Sequence, residues 1–249
     1  MSRKYTYVQE QCIRLAGKLS QATGMLHPGA RVGVAVSGGA DSWVLLKVML
    51  IRRSIVPFPF EIMALHINPG FRAESHAPLA AWLAENGVSG HIEITDHGPL
   101  AHSPENRKKS PCFLCAMLRR KRLFELCRQY RLTHLAMGHN FDDLASTFFM
   151  NMLNGGRVDG LAMKESFFQG SLTMIRPLLL VKKPMITKAA RAWNLPVWSN
   201  PCPSAGKTGR SEAAAAMEAL CGNDRNRKAN IYTALTKWQL DLTQASKAE

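Results

Sequence analysis

Six consecutive residues near the N-terminus have the types and the order suited to binding phosphate. They are Ser37, Gly38, Gly39, Ala40, Asp41 and Ser42. Glycines let the backbone turn tightly and bring N–H groups close to phosphate, and a following helix adds a positive dipole. The serines offer hydroxyl donors, and the carboxylate could hold Mg²⁺. The string is neither a P-loop, because no Lys-Ser/Thr pair closes it, nor GxGxxG. The competing interpretation is a tight turn with a capped helix.

A second polar group follows a later apolar run. It reads Gly138-His139-Asn140-Phe141-Asp142-Asp143. Carboxylates at a strand-to-helix junction lie at the sheet edge where open α/β folds bind ligands. We therefore expect Mg²⁺ to be held by Asp41 with Asp142 or Asp143, the alternative being that the latter two only cap the following helix.

Three of the six cysteines lie beside prolines. Cys112 and Cys115 form a CxxC pair at a predicted helix start, where backbone dipoles lower thiol pKa values. Cys202 lies between two prolines in a predicted loop. Structural zinc, a redox pair that relays persulfide sulfur, and a 4Fe-4S cluster all suit such residues, and spacing does not separate them. Cys12 and Cys127 have helical spacing among apolar residues and are predicted core thiols.

The elements that must position these residues alternate along the chain. Strands are predicted over 31–36, 61–67, 91–95, 134–137 and 172–180, and helices over 8–21, 41–53, 77–85, 115–130, 142–153, 184–193, 211–220 and 226–243. Segments 96–111 and 200–210 are predicted loops. This alternation predicts an α/β fold with an open parallel sheet and helices on both faces. We expect one domain over 1–200 and a helical C-terminal extension over 201–249 packed on it.

The composition indicates a globular, basic protein. Lys and Arg number 32 against 18 Asp and Glu, giving a formal charge of +14, and hydrophobic residues make up 46% of 249. Such an excess favours a polyanionic partner. No apolar run has the roughly 20 residues needed to cross a bilayer, so we expect no membrane partner and a cytoplasmic location.

A run of four basic residues follows the CxxC pair. Arg119, Arg120, Lys121 and Arg122 suit contacts with RNA phosphates, and a second basic pair is Lys182-Lys183. A charged run of this kind is also typical of a solvated helix face. Its closeness to the cysteines favours RNA guided towards them.

Several of these strings resemble motifs of known enzymes. Residues 37–42 are similar to the SGGxDS loop of the ATP-pyrophosphatase superfamily, and 138–143 to the GHxxDD motif of its tRNA-modifying members. The strings 112–120, 151–156 and 175–178 resemble segments of the tRNA 2-thiocytidine synthetase family. This resemblance extends from Arg31 to Cys202.

The resemblance implies a function and a set of site residues. It implies ATP-dependent thiolation of a tRNA cytidine, classically position 32, with a 4Fe-4S cluster on Cys112, Cys115 and Cys202. The ATP-binding residues would be Ser37, Gly38, Gly39, Asp41, Ser42, Ala64, His66, Gly138 and Asp142. Asp41 and the three cysteines would be catalytic, a cysteine desulfurase or sulfide would donate sulfur, and similar proteins often form homodimers.

The chain departs from the family pattern at three positions. Ala40 replaces the Lys of SGGKDS, Trp43 replaces a small or hydroxyl residue, and Ala205 replaces the last cysteine of a PCxxC-like string. A lysidine synthetase-like ligase, which needs no clustered cysteines, and a non-catalytic RNA-binding module are the rival hypotheses.

Overall fold

The structure is a computed structural model that describes residues 4–107, 109–199, 201–206, 209–222 and 224–245. Its helices are α1 (Tyr7–Thr23), α2 (Ala40–Arg53), α3 (Ala77–Glu85), α4 (His97–His102), α5 (Pro111–Gln129), α6 (Phe141–Gly155), α7 (Lys183–Ala192), α8 (Gly209–Cys221) and α9 (Arg225–Ala245). Its strands are β1 (Arg31–Ala35), β2 (Glu61–Asn68), β3 (Gly90–Ile94), β4 (His134–Ala136), β5 (Lys164–Phe167) and β6 (Leu172–Ile175). None of the helices in the described ranges is long and apolar enough to span a membrane.

The strands form one sheet in the order β3-β2-β1-β4-β6-β5. All neighbours are parallel except β5 and β6, which pair antiparallel at one edge. The chain builds outwards from β1 to β3 and then returns to the other side of β1 with β4. The carboxyl ends of β1 and β4 therefore flank the switch point, where ligands bind in open α/β sheets.

The two faces of the sheet carry separate apolar cores. Val32, Val34 and Ala136 pack with α1, α2 and α7 on one face. Leu65 and Leu135 pack with α5 on the other. This alternation along each strand gives helices on both faces, and the predicted fold class is confirmed.

Three local predictions were wrong in extent. The strand predicted over 172–180 ends at Ile175, because Pro177 has no N–H to continue the ladder. The edge strand β5 was missed because its burial alternates weakly and no apolar pattern marks it. The loop predicted over 96–111 contains α4, whose Gly98 and Pro99 resemble turn residues but fall in its first turn.

The C-terminal helices continue the core of the first face. Met217 of α8 and Leu235 of α9 are buried with residues of α2 and α6. The Tyr232 and Phe141 rings meet edge to face with centroids 4.5 Å apart. The expected packing of a helical extension on the main domain agrees with these contacts, while the domain boundary after residue 200, a position outside the described residues, stays a prediction.

We predict that acid destabilises the protein partly through His134. Burial, the first cause, lowers the pKa of this β4 side chain from an ordinary 6.5 to about 4. The unfolded chain therefore takes up a proton between these pH values that the folded chain does not, and stability falls as pH drops from 6.5 to 4. The loss is at most about 3.5 kcal/mol, at ~1.4 kcal/mol per pH unit.

Urea unfolding at pH 7.5 and pH 4.5 measures this loss. The His134→Asn variant should lose less stability than the wild type between the two pH values. An equal loss in both proteins would contradict the assignment.

Candidate active site

The phosphate loop is held by its own hydroxyls. Ser42 Oγ accepts a hydrogen bond from Ser37 N at 3.0 Å and donates to Gly39 O at 2.9 Å. Gly39 is the N-cap of α2 and has no side chain to accept from the first N–H groups of the helix. These N–H groups stay available to an anion, which the helix dipole also favours.

The second motif, residues 138–143, contacts the phosphate loop at Gly138. A Cβ added at Gly138 would lie 3.1 Å from Ser42 N and 3.2 Å from the carbonyl carbon of Asp41. Both are backbone atoms of α2, so they cannot move aside as a flexible side chain would. Glycine is therefore needed here for the strand end of β4 to touch the first turn of α2.

Asn140 joins the two motifs by hydrogen bonds. Its Oδ1 accepts from Asp142 N and Asp143 N at 2.8 and 3.2 Å, and its Nδ2 donates to Asp41 Oδ1 at 2.9 Å. Asp143 completes a capping box by accepting from Asn140 N at 3.0 Å. Asn140 thus caps α6 and fixes the Asp41 carboxylate with the same side chain.

Asp142 is tied to two distant elements. Its Oδ2 accepts from Lys183 N at the start of α7 at 2.7 Å, and its Oδ1 accepts from the Tyr232 hydroxyl at 3.0 Å. Asp142 and Asp143 bind backbone N–H groups, and the pairing of Asp41 with Asp142 or Asp143 around Mg²⁺ stays a prediction. In the described ranges no three His, Cys, Asp or Glu side chains form a group that could hold a metal ion.

A cavity lies at the carboxyl ends of β1, β2 and β4. It is lined by Ala35, Val36, Ser37, Asp41, Ser42, Leu65, Ile67, Arg119, Leu123, Met137, Gly138, His139 and Asp143. The loop and acidic motif that the sequence predicted therefore face one space. The cavity wall combines apolar side chains with a few polar groups, as in nucleotide-binding sites.

The predicted ATP contacts on β2 lie away from the cavity. Ala64 and His66 are buried on the other face of the sheet, whereas Leu65 and Ile67 line the cavity. Adjacent strand residues point to opposite faces, so a role of the Ala64 and His66 side chains in ATP binding stays a prediction. His66 Nδ1 lies 2.7 Å from Val36 O, and burial lowers the pKa of its ring.

Helix α5 carries three candidate site residues on one face, and one of them lines this cavity. Cys112, Cys115 and Arg119 recur at i, i+3 and i+7 and therefore share one face. Arg119 lines the cavity, and its charge acts on Cys115 by lowering the thiol pKa against the larger, opposing effect of burial. Arg119 thus stands between the phosphate loop and the cysteines.

The three predicted ligand cysteines lie near one another but do not form a metal-holding group in the described structure. Cys112 Sγ is 3.9 Å from Ser204 O, and Cys115 feels the charges of both Cys112 and Cys202. All three side chains are half-buried. His102 of the unpredicted α4 reaches the same segment through Ser204 Oγ at 2.8 Å. By contrast Cys12 and Cys127 are buried, each with a pKa raised to about 12 by desolvation, so they are confirmed as core thiols.

The four basic side chains at residues 119–122 of α5 point in different directions. Arg119 faces the cavity, and Arg122 is bound to Glu93 at 2.6 Å and Glu125 at 3.0 Å. Arg120 and Lys121 are exposed. Of the four residues predicted to bind RNA, only these last two point into solvent with their charges available.

Two residues near the site were missed as functional by sequence reasoning. Arg176, in the segment after β6, is buried and donates from Nε to His139 Nδ1 at 3.2 Å, which orients that ring at the cavity. Trp198 lies against Gly38, donating its backbone N–H to Gly38 O at 3.0 Å. The sequence marks the segment 175–178 only by its resemblance to a family string.

This sheet, with a glycine-rich loop at the switch point, defines an ATP-pyrophosphatase type of nucleotide-binding protein. A family model described as a PP-loop domain matches residues 8–201. A tRNA-cytidine(32) 2-sulfurtransferase from Geobacter metallireducens is 35% identical over 186 residues, 74% of this chain and 71% of its own. One from Citrifermentans bemidjiense is 32% identical over 222 residues, 88% and 87% of the two chains. The chain therefore belongs to the PP-loop family and, within it, to the tRNA 2-thiocytidine synthetase family.

Solved structures share the fold. The U34-tRNA thiolase NcsA from Methanococcus maripaludis, solved with its 4Fe-4S cluster, superposes with a TM-score of 0.73 at 22% identity, covering 93% of this chain and 80% of its own. The NH3-dependent NAD synthetase from Campylobacter jejuni gives a TM-score of 0.51 at 14% identity, covering 94% and 95%. At these identities the likeness concerns the fold alone.

We predict that Tyr232→Phe destabilises the protein by about 1.5–3 kcal/mol, the range for a hydrogen bond to a charged group. The change removes the hydroxyl that donates to Asp142 and keeps the ring on Phe141. Urea unfolding measures the effect.

Tyr7→Phe is the matched control, because the Tyr7 side chain is exposed. It should change stability by less than about 0.5 kcal/mol. Equal stabilities of Tyr232→Phe and the wild type would show that α9 is not held through Asp142.

Proposed function

We propose that this protein is an ATP-dependent tRNA sulfurtransferase that acts on cytidine 32 of the anticodon loop in the cytoplasm. One observation carries the proposal: α5 holds the cysteine pair on the same face as Arg119, and Arg119 lines the cavity of the phosphate loop. An enzyme that activates a base with ATP and then inserts sulfur needs both chemistries within reach of one atom.

The first step is adenylation of the base. The C2 carbonyl oxygen attacks the α-phosphorus of ATP, the α–β phosphoanhydride bond breaks, and pyrophosphate leaves. The free N–H groups of α2 and the loop residues Ser37 and Gly38 would receive the phosphates. Arg119 would stabilise negative charge on the side of the cavity nearest the cysteines.

The adenine would lie beside the loop, near His66 and Trp198. These rings are 5.8 Å apart, and His66 Nε2 and Trp198 Nε1 are buried with no hydrogen-bond partner in the described structure. Buried unpaired nitrogens are costly, and the edge of a purine can supply acceptors and donors to them. This supports a role for the His66 ring in ATP binding, although His66 does not line the cavity described above.

The second step replaces oxygen with sulfur. A sulfur nucleophile forms a bond to the activated C2, the C2–O bond breaks, and AMP leaves with that oxygen. Cys112, Cys115 and Cys202 would hold a 4Fe-4S cluster, which would supply the sulfur for this step. The three half-buried thiols lie near one another, and Arg119 offsets part of the negative charge that thiolates bring. The side chains would have to draw closer to share one cluster, because they form no metal-holding group as they stand in the described structure.

We predict that cells lacking this gene lose 2-thiocytidine from their tRNA, measured by mass spectrometry of nucleosides. A plasmid copy of the gene should restore it. Copies with Cys112→Ser, Cys115→Ser or Cys202→Ser should not, because each removes one of the three proposed cluster thiols. Cys12→Ala is the matched control, since that thiol is buried in the core, and it should restore the nucleoside.

Other outcomes identify the rivals. Unchanged 2-thiocytidine together with loss of lysidine would indicate the ligase instead. Thiolation by protein purified without air but free of iron would indicate a persulfide relay through the same cysteines. Full tRNA binding without ATP turnover would indicate an RNA-binding module.

We further predict that Arg120 and Lys121 contact tRNA phosphates. The double variant Arg120→Ala/Lys121→Ala should weaken tRNA binding and lower the slope of log K against log salt by about 1–2, at ~0.7–0.9 per phosphate contact. Filter binding across a salt series measures both quantities.

Arg14→Ala/Lys18→Ala removes the same charge from exposed positions of α1, on the other face of the sheet, and is the control. It should leave the slope unchanged. Equal slopes for all three proteins would contradict the proposed RNA surface.

A further inference from the structure

The phosphate loop of this chain lacks a positive charge that its family places within it. Ala40 stands where the SGGKDS pattern has Lys, and it is the first residue of α2. Binding of a triphosphate normally needs cations beside the backbone N–H groups, because helix dipoles alone carry only about half a charge.

Another element brings a lysine to the same place. Lys183 is the first residue of α7, which packs against α2. Its ammonium forms an ion pair with the Oδ2 atom of Asp41, the neighbour of Ala40 in the loop. The lysine side chain is 45% exposed at this point, so it can also meet a ligand from solvent.

The backbone of Lys183 is held in place by a hydrogen bond to the acidic motif. Its N–H donates to Asp142 Oδ2 at 2.7 Å, and Asp142 is itself held by Tyr232. The Lys183 side chain therefore extends from a fixed backbone position between the phosphate loop and the motif at residues 138–143. Asn140 holds the other oxygen of Asp41 at 2.9 Å, so the carboxylate that Lys183 contacts is also fixed.

We propose that Lys183 supplies, from the start of α7, the phosphate-binding cation that Ala40 removes from the loop. In the free protein Lys183 neutralises Asp41, and with ATP bound its ammonium contacts the phosphates. This inference rests on the proposed ATP chemistry. It makes Lys183, and not a residue of the loop itself, the binding cation of this chain.

Equilibrium binding of ATP with Mg²⁺ to the full chain, without tRNA, tests the proposal by calorimetry. Lys183→Met should weaken ATP binding about 10- to 100-fold, the size of one charge-assisted hydrogen bond. Lys183→Met/Ala40→Lys should recover most of that loss, because the cation returns from the family's own position. A merely structural role of Lys183 would not be rescued from another helix.

Lys182→Met is the matched control. It removes the neighbouring ammonium, which lies over the Tyr232 ring at 5.1 Å, and should leave ATP affinity unchanged. Lys183→Gln, which keeps a side-chain donor for Asp41 without the charge, should lose affinity like Lys183→Met. It replaces Lys183→Met if that variant does not fold.

The outcomes separate this inference from the proposed function. Wild-type protein that binds no ATP would overturn the proposed function itself. Wild-type protein that binds ATP, with unchanged affinity in Lys183→Gln or with no recovery on adding Ala40→Lys, would overturn only the role of Lys183.

Discussion

The contact between Gly138 and the first turn of α2 is the constraint on which the site depends. It lets the carboxyl end of β4 approach that of β1 so closely that even a Cβ would lie 3.1 Å from the backbone of α2, a contact that only a backbone shift would relieve. With the two strand ends fixed, the loop after β1 and the cap of α6 become one structure, joined by Asn140 and Asp41. A larger residue at 138 would separate the motifs and open the switch point of the sheet.

The polar side chains of the acidic motif, residues 138–143, stabilise this contact between the strand ends. Asn140 caps α6, Asp143 completes the capping box, and Asp142 binds the start of α7 and the Tyr232 hydroxyl. The motif thereby sets where α6, α7 and α9 stand relative to the loop. Carboxylates in a family motif are easily interpreted as metal ligands, but both acids of this motif also hold helices in place.

The sequence predicted the fold class because strand and helix periods alternate clearly from Arg31 to Ala192. It also located the phosphate loop, whose residue types act locally. It did not predict which β2 side chains line the cavity. Successive side chains of a strand point to opposite faces of the sheet, and because both faces of a parallel sheet are apolar, the sequence pattern does not show which side chains point to the cavity. Nor did it predict the contacts of Arg176, Lys183 or Trp198 in the site. Each acts across more than 30 residues of chain, and their partners are set only by the order of the strands.

The same packing explains how the ATP and cysteine sites can act on one base without sharing ligands. Arg119 connects them through α5, since its position one helical turn beyond Cys115 also lines the cavity. Trp198 connects them through the chain, since its N–H holds Gly38 and Cys202 follows four residues later. A movement of α5 would displace Cys112 and Cys115 together with the arginine. This connection runs through a helix, so under the proposed function the fold would set how far the cysteine pair lies from the phosphate loop.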